Sequence, residues 1–170
     1  MECLIPGLIL VGLMIYASTR IKRASAGAYA PETIESEAFV FEKADEFLNK
    51  VEPAKGLEVE GYSREYGSGD AANIRQATYE VDRIAGGLDA AADAMSALGE
   101  DATHTSEIFA EKKYRVVEIR REEKGIEFID TYKMAETADG VVRLKVTMLD
   151  EASDEVRRRV ETILSGFVVK

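Results

Sequence analysis

Hydrophobic and polar positions divide this chain into one unbroken apolar run and a longer stretch of short alternating segments. From Cys3 to Ser18 sixteen residues pass without a charge, CLIPGLILVGLMIYAS, and Arg20-Ile21-Lys22-Arg23 follows. Further on, Leu57-Glu58-Val59-Glu60-Gly61-Tyr62 alternates apolar and acidic, the period of a half-buried strand. Ile74 to Val81 alternates again, with Arg75, Ala77, Tyr79 and Val81 on one face and Ile74, Gln76 and Thr78 on the other. The intervening Gly67-Ser68-Gly69-Asp70 reads as a turn, so the two segments are expected to form a hairpin. Phe39-Val40-Phe41 is a further short strand.

Gly86-Gly87 then breaks the chain, and the period changes. Leu88, Ala91, Ala92, Met95 and Leu98 recur at helical spacing, closed by Gly99. Four strands are predicted next: Thr103 to Phe109, Tyr114 to Arg121, Ile126 to Met134 and Val141 to Leu149. Lys124-Gly125 and Asp139-Gly140 supply turns between them. Asp150 or Ser153 can cap a last helix, whose stripe is Val156, Val160, Ile163 and Leu164 with Gly166 after its end. Phe167-Val168-Val169 makes a terminal strand or docked tail. This order predicts an α+β domain: an antiparallel sheet of about five to seven strands with helices near 88–98 and 153–165 packed on one face.

The apolar run is expected to be a retained single transmembrane helix. Its sixteen residues reach only about 24 Å as a helix, against a hydrocarbon core of about 30 Å. The flanks from Met1 to Ile21 are needed to close that gap, with Arg20 snorkelling and Tyr16 at the interface. A cleaved leader would carry its positive charge ahead of the run, whereas this chain starts Met1-Glu2. With the basic residues following, the positive-inside rule places the N-terminus outside and the rest in the cytoplasm. The expected organisation is therefore an anchor and basic flank over residues 1–23, a tether over 24–38 and an acidic domain over 39–170. Gly12 allows close helix approach in such a span.

Composition narrows function. Asp and Glu number 32 against 22 Lys and Arg, a net charge of −10. Phosphate affinity comes from cationic side chains, so general nucleic-acid binding is excluded. One Cys and one His exclude a disulfide framework, a multi-thiolate zinc site and a three-His metal centre. No phosphate-binding glycine motif, His-Glu-x-x-His or nucleophile elbow is present, and no cofactor or metal is expected. The paired acids Glu58/Glu60, Glu122/Glu123 and Asp150/Glu151/Asp154/Glu155 lack the spacing of a calcium loop. Asp150 to Glu155 suits a helix start, and Arg157-Arg158-Arg159 one turn later reads as a solvated face. Tyr62, Tyr66, Tyr79, Tyr114 and Tyr132 fall in strands and are expected in the core or in cross-strand pairs.

The element order carries a resemblance. A hairpin, a helix, a run of antiparallel strands and a helix entering Ile163-Leu164-Ser165-Gly166-Phe167-Val168 resembles the PsbP-like fold family, over roughly Phe39 to Lys170. That family includes extrinsic photosystem II proteins and a nuclear-import factor that binds a small GTPase. The resemblance implies a non-catalytic role, docking onto a larger assembly. With the anchor, it leads to the expectation of an accessory subunit of a membrane complex, bioenergetic or photosynthetic, held through the anchor, the domain or both and in contact with the bilayer. The alternative is a small tethered hydrolase using His104, in Thr103-His104-Thr105-Ser106-Glu107, as base with Glu107 beside it.

Overall fold

The structure, a computed structural model, describes residues 27–99 and 101–170 together with Met14, Tyr16 and Ser18. Two antiparallel sheets carry the domain. The larger has seven strands in the order β3-β4-β5-β9-β8-β7-β6. These are β3 (Phe47–Asn49), β4 (Leu57–Ser63), β5 (Ala77–Ile84), β6 (Thr103–Phe109), β7 (Lys112–Glu123), β8 (Ile126–Thr137) and β9 (Gly140–Leu149). The smaller has the order β1-β2-β10, from β1 (Glu32–Glu35), β2 (Phe39–Lys43) and β10 (Val168–Val169). Helix α1 (Leu88–Ser96) joins β5 to β6, and α2 (Asp154–Gly166) joins β9 to β10.

The expected β4–β5 hairpin pairs as read, Gly61 opposite Tyr79. Its connection is more elaborate than a tight turn. It contains a 3-10 turn at Gly69–Ala71 and a bridge between Tyr66 and Arg75. Strands β6 to β9 form a meander, which closes on β5 through β9.

The helices lie on opposite faces of the large sheet, correcting the expectation of a single covered face. Val141 packs with Leu88, Ala91, Ala92, Val117, Tyr132 and Met134 under α1. Its neighbour Val142 joins Tyr79, Val81, Ala135, Leu144 and Val146 with Val156, Val160 and Ile163 of α2. Successive strand residues point to opposite faces, so one strand feeds both cores. A connection from β5 to the far edge of the sheet carries α1 across one face, while α2 returns across the other to bring β10 beside β2. Three of the four predicted α2 stripe residues, Val156, Val160 and Ile163, are buried and the fourth, Leu164, is partly buried; Ser153 caps the helix by accepting from the Val156 amide at 3.3 Å.

The smaller sheet closes the α2 side. Phe39, Phe41 and Phe167 lie ring to ring, and Phe41 meets Tyr79 edge-on at 5.6 Å. The segment read as a tether takes part, since Glu32–Glu35 forms β1 against β2.

The expected transmembrane helix is withdrawn, and with it the outside–cytoplasm placement. No helix among the described residues is long and apolar enough to cross a membrane. Apart from Met14, Tyr16 and Ser18, the segment Met1–Ile21 lies outside the described residues. Physically, the uncharged run is about 6 Å short of a hydrocarbon core on its own, and the reading depended on charged flanks to make up the length.

Three phenols in these cores set an alkaline limit. Burial pushes Tyr79, Tyr114 and Tyr132 upward from the ordinary phenol value of 10.0. A folded-state pKa above the unfolded one adds stability that is complete below about pH 10 and is lost as pH rises through the folded values. Phenolate absorbance followed with circular dichroism should show these three ionising only as the sheet is lost. Ionisation of all three while the sheet signal persists would contradict their burial.

Candidate functional site

Strand β6 forms one edge of the large sheet, and every residue from Thr103 to Phe109 is exposed. The opposite edge, β3, has only three residues. Native sheets usually protect a long edge with Lys, Pro or a bulge. Strand β6 has none of these. Its single charge, Glu107, pairs with Lys133 at 2.7 Å.

The hairpin to β7 shows which groups face out. Phe109 and Lys112 pair across a two-residue turn. Ala110 and Glu111 both take positive φ, 47° and 63°, the left-handed pair of a type I′ turn. Across such a turn the flanking residues exchange hydrogen bonds, and bonded pairs then alternate along the ladder. Phe109, Glu107, Thr105 and Thr103 therefore bond to β7. Ile108, Ser106 and His104 direct their N–H and C=O groups away from the sheet, available to another strand. Ile108 is 83% exposed and Phe109 43%.

Charged anchors hold this edge firm. Lys133, only 4% exposed, donates to the Leu164 carbonyl at 2.9 Å besides pairing with Glu107. Its ammonium also lies 4.9 Å from the Tyr114 ring and 5.5 Å from the Phe109 ring. The Tyr114 hydroxyl accepts from the Val169 amide at 2.9 Å, tying β7 to the chain end. On the other face Arg115 donates to Asp89 at 2.7 and 2.9 Å and also reaches Ser106 Oγ. Arg115 hydrogen bonding holds the Asp89 carboxyl below its ordinary range.

The His104–Glu107 pair is not assembled. Register places His104 opposite Val117, on the α1 face, where its ring meets Ser96 Oγ at 2.9 Å. Glu107 lies opposite Tyr114 on the other face and is engaged by Lys133. Three residues apart on a strand, the two side chains point to opposite sides.

The acidic pairs also disperse. Glu58 joins Arg83, Glu60 joins Lys50 and Glu123 joins Arg121. Asp150 and Glu151 line an open cavity of about 320 Å³ with Asp70 and Glu127. Among the described residues no group of His, Cys, Asp and Glu is arranged to hold a metal ion.

The solvated-face reading of Arg157-Arg158-Arg159 needs correcting. Only Arg158 is exposed. Arg157 donates to the carbonyls of Asp150 and Ala152. The Arg159 side chain, 12% exposed, meets Asp45 and Glu155 at 3.1 Å and Glu65 at 3.0 Å. Of the five tyrosines expected in strands, Tyr79, Tyr114 and Tyr132 are buried. Tyr62 and Tyr66 instead flank Arg75, whose guanidinium lies 4.7 and 3.9 Å from their ring centres.

Sequence reasoning did not single out Ile108 and Phe109. The usable signal was local: seven residues, THTSEIF, with one charge and no apolar face, between clearly alternating strands.

No protein-family model matches the chain, and no curated protein matches it in sequence. Solved structures do match. The solution structure of cyanobacterial PsbP (CyanoP) from Synechocystis sp. PCC 6803 superposes with a TM-score of 0.56 at 11% identity, over 84% of this chain and 94% of that one. LpqN, involved in cell envelope biogenesis of Mycobacterium tuberculosis, gives 0.58 at 7% identity, over 83% and 91%. Mog1, solved as a point mutant, gives 0.52 at 11% identity, over 82% and 96%. The chain spans 45% of the length of a further match, from Bacteroides thetaiotaomicron VPI-5482. The fold of this chain is PsbP-like, as its element order and closing helix led one to expect.

Proposed function

We propose that this protein is a non-catalytic accessory domain that works by binding another polypeptide through the β6 edge. The observation that carries the reading is seven consecutive exposed residues at a sheet edge, with Ile108 and Phe109 at its tip. An extended segment laid on such an edge gains main-chain hydrogen bonds along its length, and alternate side chains supply selectivity. The charged anchors beneath the edge hold it in place before binding, which lowers the ordering cost of association. The separation of His104 from Glu107 supports the same reading against the hydrolase. LpqN is named for involvement in cell envelope biogenesis, and CyanoP as a cyanobacterial PsbP. Their shared fold agrees with a scaffold that serves different assemblies, because function resides in grafted sites.

A photo-crosslinking residue at Ile108, compared with one at the fully exposed Val51, tests this in the native cell. Ile108 should yield a discrete protein adduct and Val51 none. His104→Ala keeps the outward main-chain groups of the edge and should still give a discrete Ile108 adduct. Absence of any adduct from Ile108, or an activity abolished by His104→Ala in a folded protein, would overturn the proposal.

A further inference from the structure

The β6 edge is complementary to itself, and we infer that its occupant is a second copy of this chain, pairing β6 to β6 antiparallel across a two-fold axis at Ser106. This rests on the docking role proposed for the edge and names its partner.

The groups directed outward are those of His104, Ser106 and Ile108, and a joining strand must present its own outward groups to them. An antiparallel copy centred on Ser106 does so along the whole strand. Ser106 faces Ser106 of the copy, His104 faces Ile108, Thr105 faces Glu107 and Thr103 faces Phe109. A two-fold contact of this kind is closed, so pairing stops at a dimer.

Strand length and charge together select this register: an axis at Thr105 would set Ile108 and Phe109 against residues outside β6. Shifting the axis to Glu107 sets two carboxylates directly opposite each other, which destabilises a cross-strand pair. In the Ser106-centred register Glu107 faces a threonine and keeps Lys133 at 2.7 Å. The chain as a whole is strongly acidic, net −10, which disfavours broad contacts between copies elsewhere. Strand β6 is a low-charge strip where that repulsion is least. Pairing also covers the exposed apolar tip, placing Ile108 beside the His104 imidazole and Phe109 beside the Thr103 methyl. Cross-strand partners share a face. Both α1 helices then lie on one side of the joined sheet, packed over β7 and β8 and reaching the seam only where Ser96 meets the His104 ring.

The test uses the purified full chain with Cys3→Ala, which removes the lone cysteine. Sedimentation equilibrium should give twice the 18.7 kDa chain mass at tens of micromolar. Ser106→Cys should form an interchain disulfide with itself, since paired strand residues lie within disulfide reach. Thr103→Cys should not, because two Thr103 positions in this register lie about 20 Å apart. Ser106→Pro removes an outward N–H, tolerable on an edge strand, along with the hydroxyl that Arg115 reaches on the exposed α1 face, and should weaken dimerisation by about tenfold or more. Ser106→Lys keeps the N–H, sets like charges face to face and should weaken the dimer likewise. A monomeric protein, a dimer indifferent to both Ser106 substitutions, or equal crosslinking at 103 and 106 would overturn the inference. If the dimer fails while crosslinking at Ile108 captures a different protein, the docking role stands and only the self-pairing falls. Failure of both removes the role as well.

Discussion

Gly61→Ala should destabilise the domain by about 3 kcal/mol, an overpacking cost at the upper end of the usual range. Gly61 on β4 stands directly opposite Tyr79 on β5. A Cβ added there would lie 2.4 Å from Tyr79 Cζ, 2.5 Å from its hydroxyl and 2.7 Å from Cε1. The ring cannot withdraw. Phe41 meets it edge-on at 5.6 Å, Phe47 lies 5.8 Å away, and its hydroxyl donates to Asn49. In effect the phenol occupies the space that a side chain on Gly61 would fill. Urea unfolding measures the loss. Tyr79→Leu alone should cost about 2–3 kcal/mol through the lost ring contacts. Combined with Gly61→Ala it should cost less than the sum by at least about 1 kcal/mol, because the smaller side chain relieves the clash. Strict additivity would mean that the two residues do not compete for this space.

Arg159→Ala should cost about 2–3 kcal/mol, while Arg158→Ala stays within about 0.5 kcal/mol. The two are neighbours of the same type on one helix. Arg159 is nearly buried among Asp45, Glu65 and Glu155, with Glu65 Oε2 buried and lacking a hydrogen-bond partner. Removing the guanidinium leaves three carboxylates facing one another and one carboxylate oxygen held away from water. The value is set below that of a fully buried ion pair because Asp45 and Glu155 are more than half exposed and screened by solvent. Arg158 only returns to the Asp154 carbonyl on its own helix. Equal losses at the two positions would refute the distinction.

The candidate site was only partly legible in the sequence. That Thr103 to Phe109 is a strand could be read from its β-branched and aromatic residues, and His104 was placed on it correctly. That β6 is an edge strand could not be read, because strand order depends on β9 closing against β5, a contact between residues some sixty positions apart. The hairpin turn was silent as well. Ala110 and Glu111 adopt positive φ without the Gly, Asn or Asp that ordinarily signals such a turn.

By itself the sequence determined the local elements. Periodicity marked both helices and the longer strands, though not β1 or β3, because the spacing of apolar side chains reflects the period of the backbone beneath. The stripe of Val156, Val160 and Ile163 identified the inward face of α2 for the same reason. Element order, together with the closing Ile163-Leu164-Ser165-Gly166-Phe167-Val168 stretch, resembled the PsbP-like fold, and the solved structures bear that resemblance out. Tertiary structure alone decided which face each helix covers, because strands buried on both sides carry apolar residues at adjacent positions such as Val141 and Val142. It also decided which of three consecutive arginines is enclosed by acids and which edge of the sheet stays open. Those outcomes depend on residues distant in the chain, and no local pattern records them.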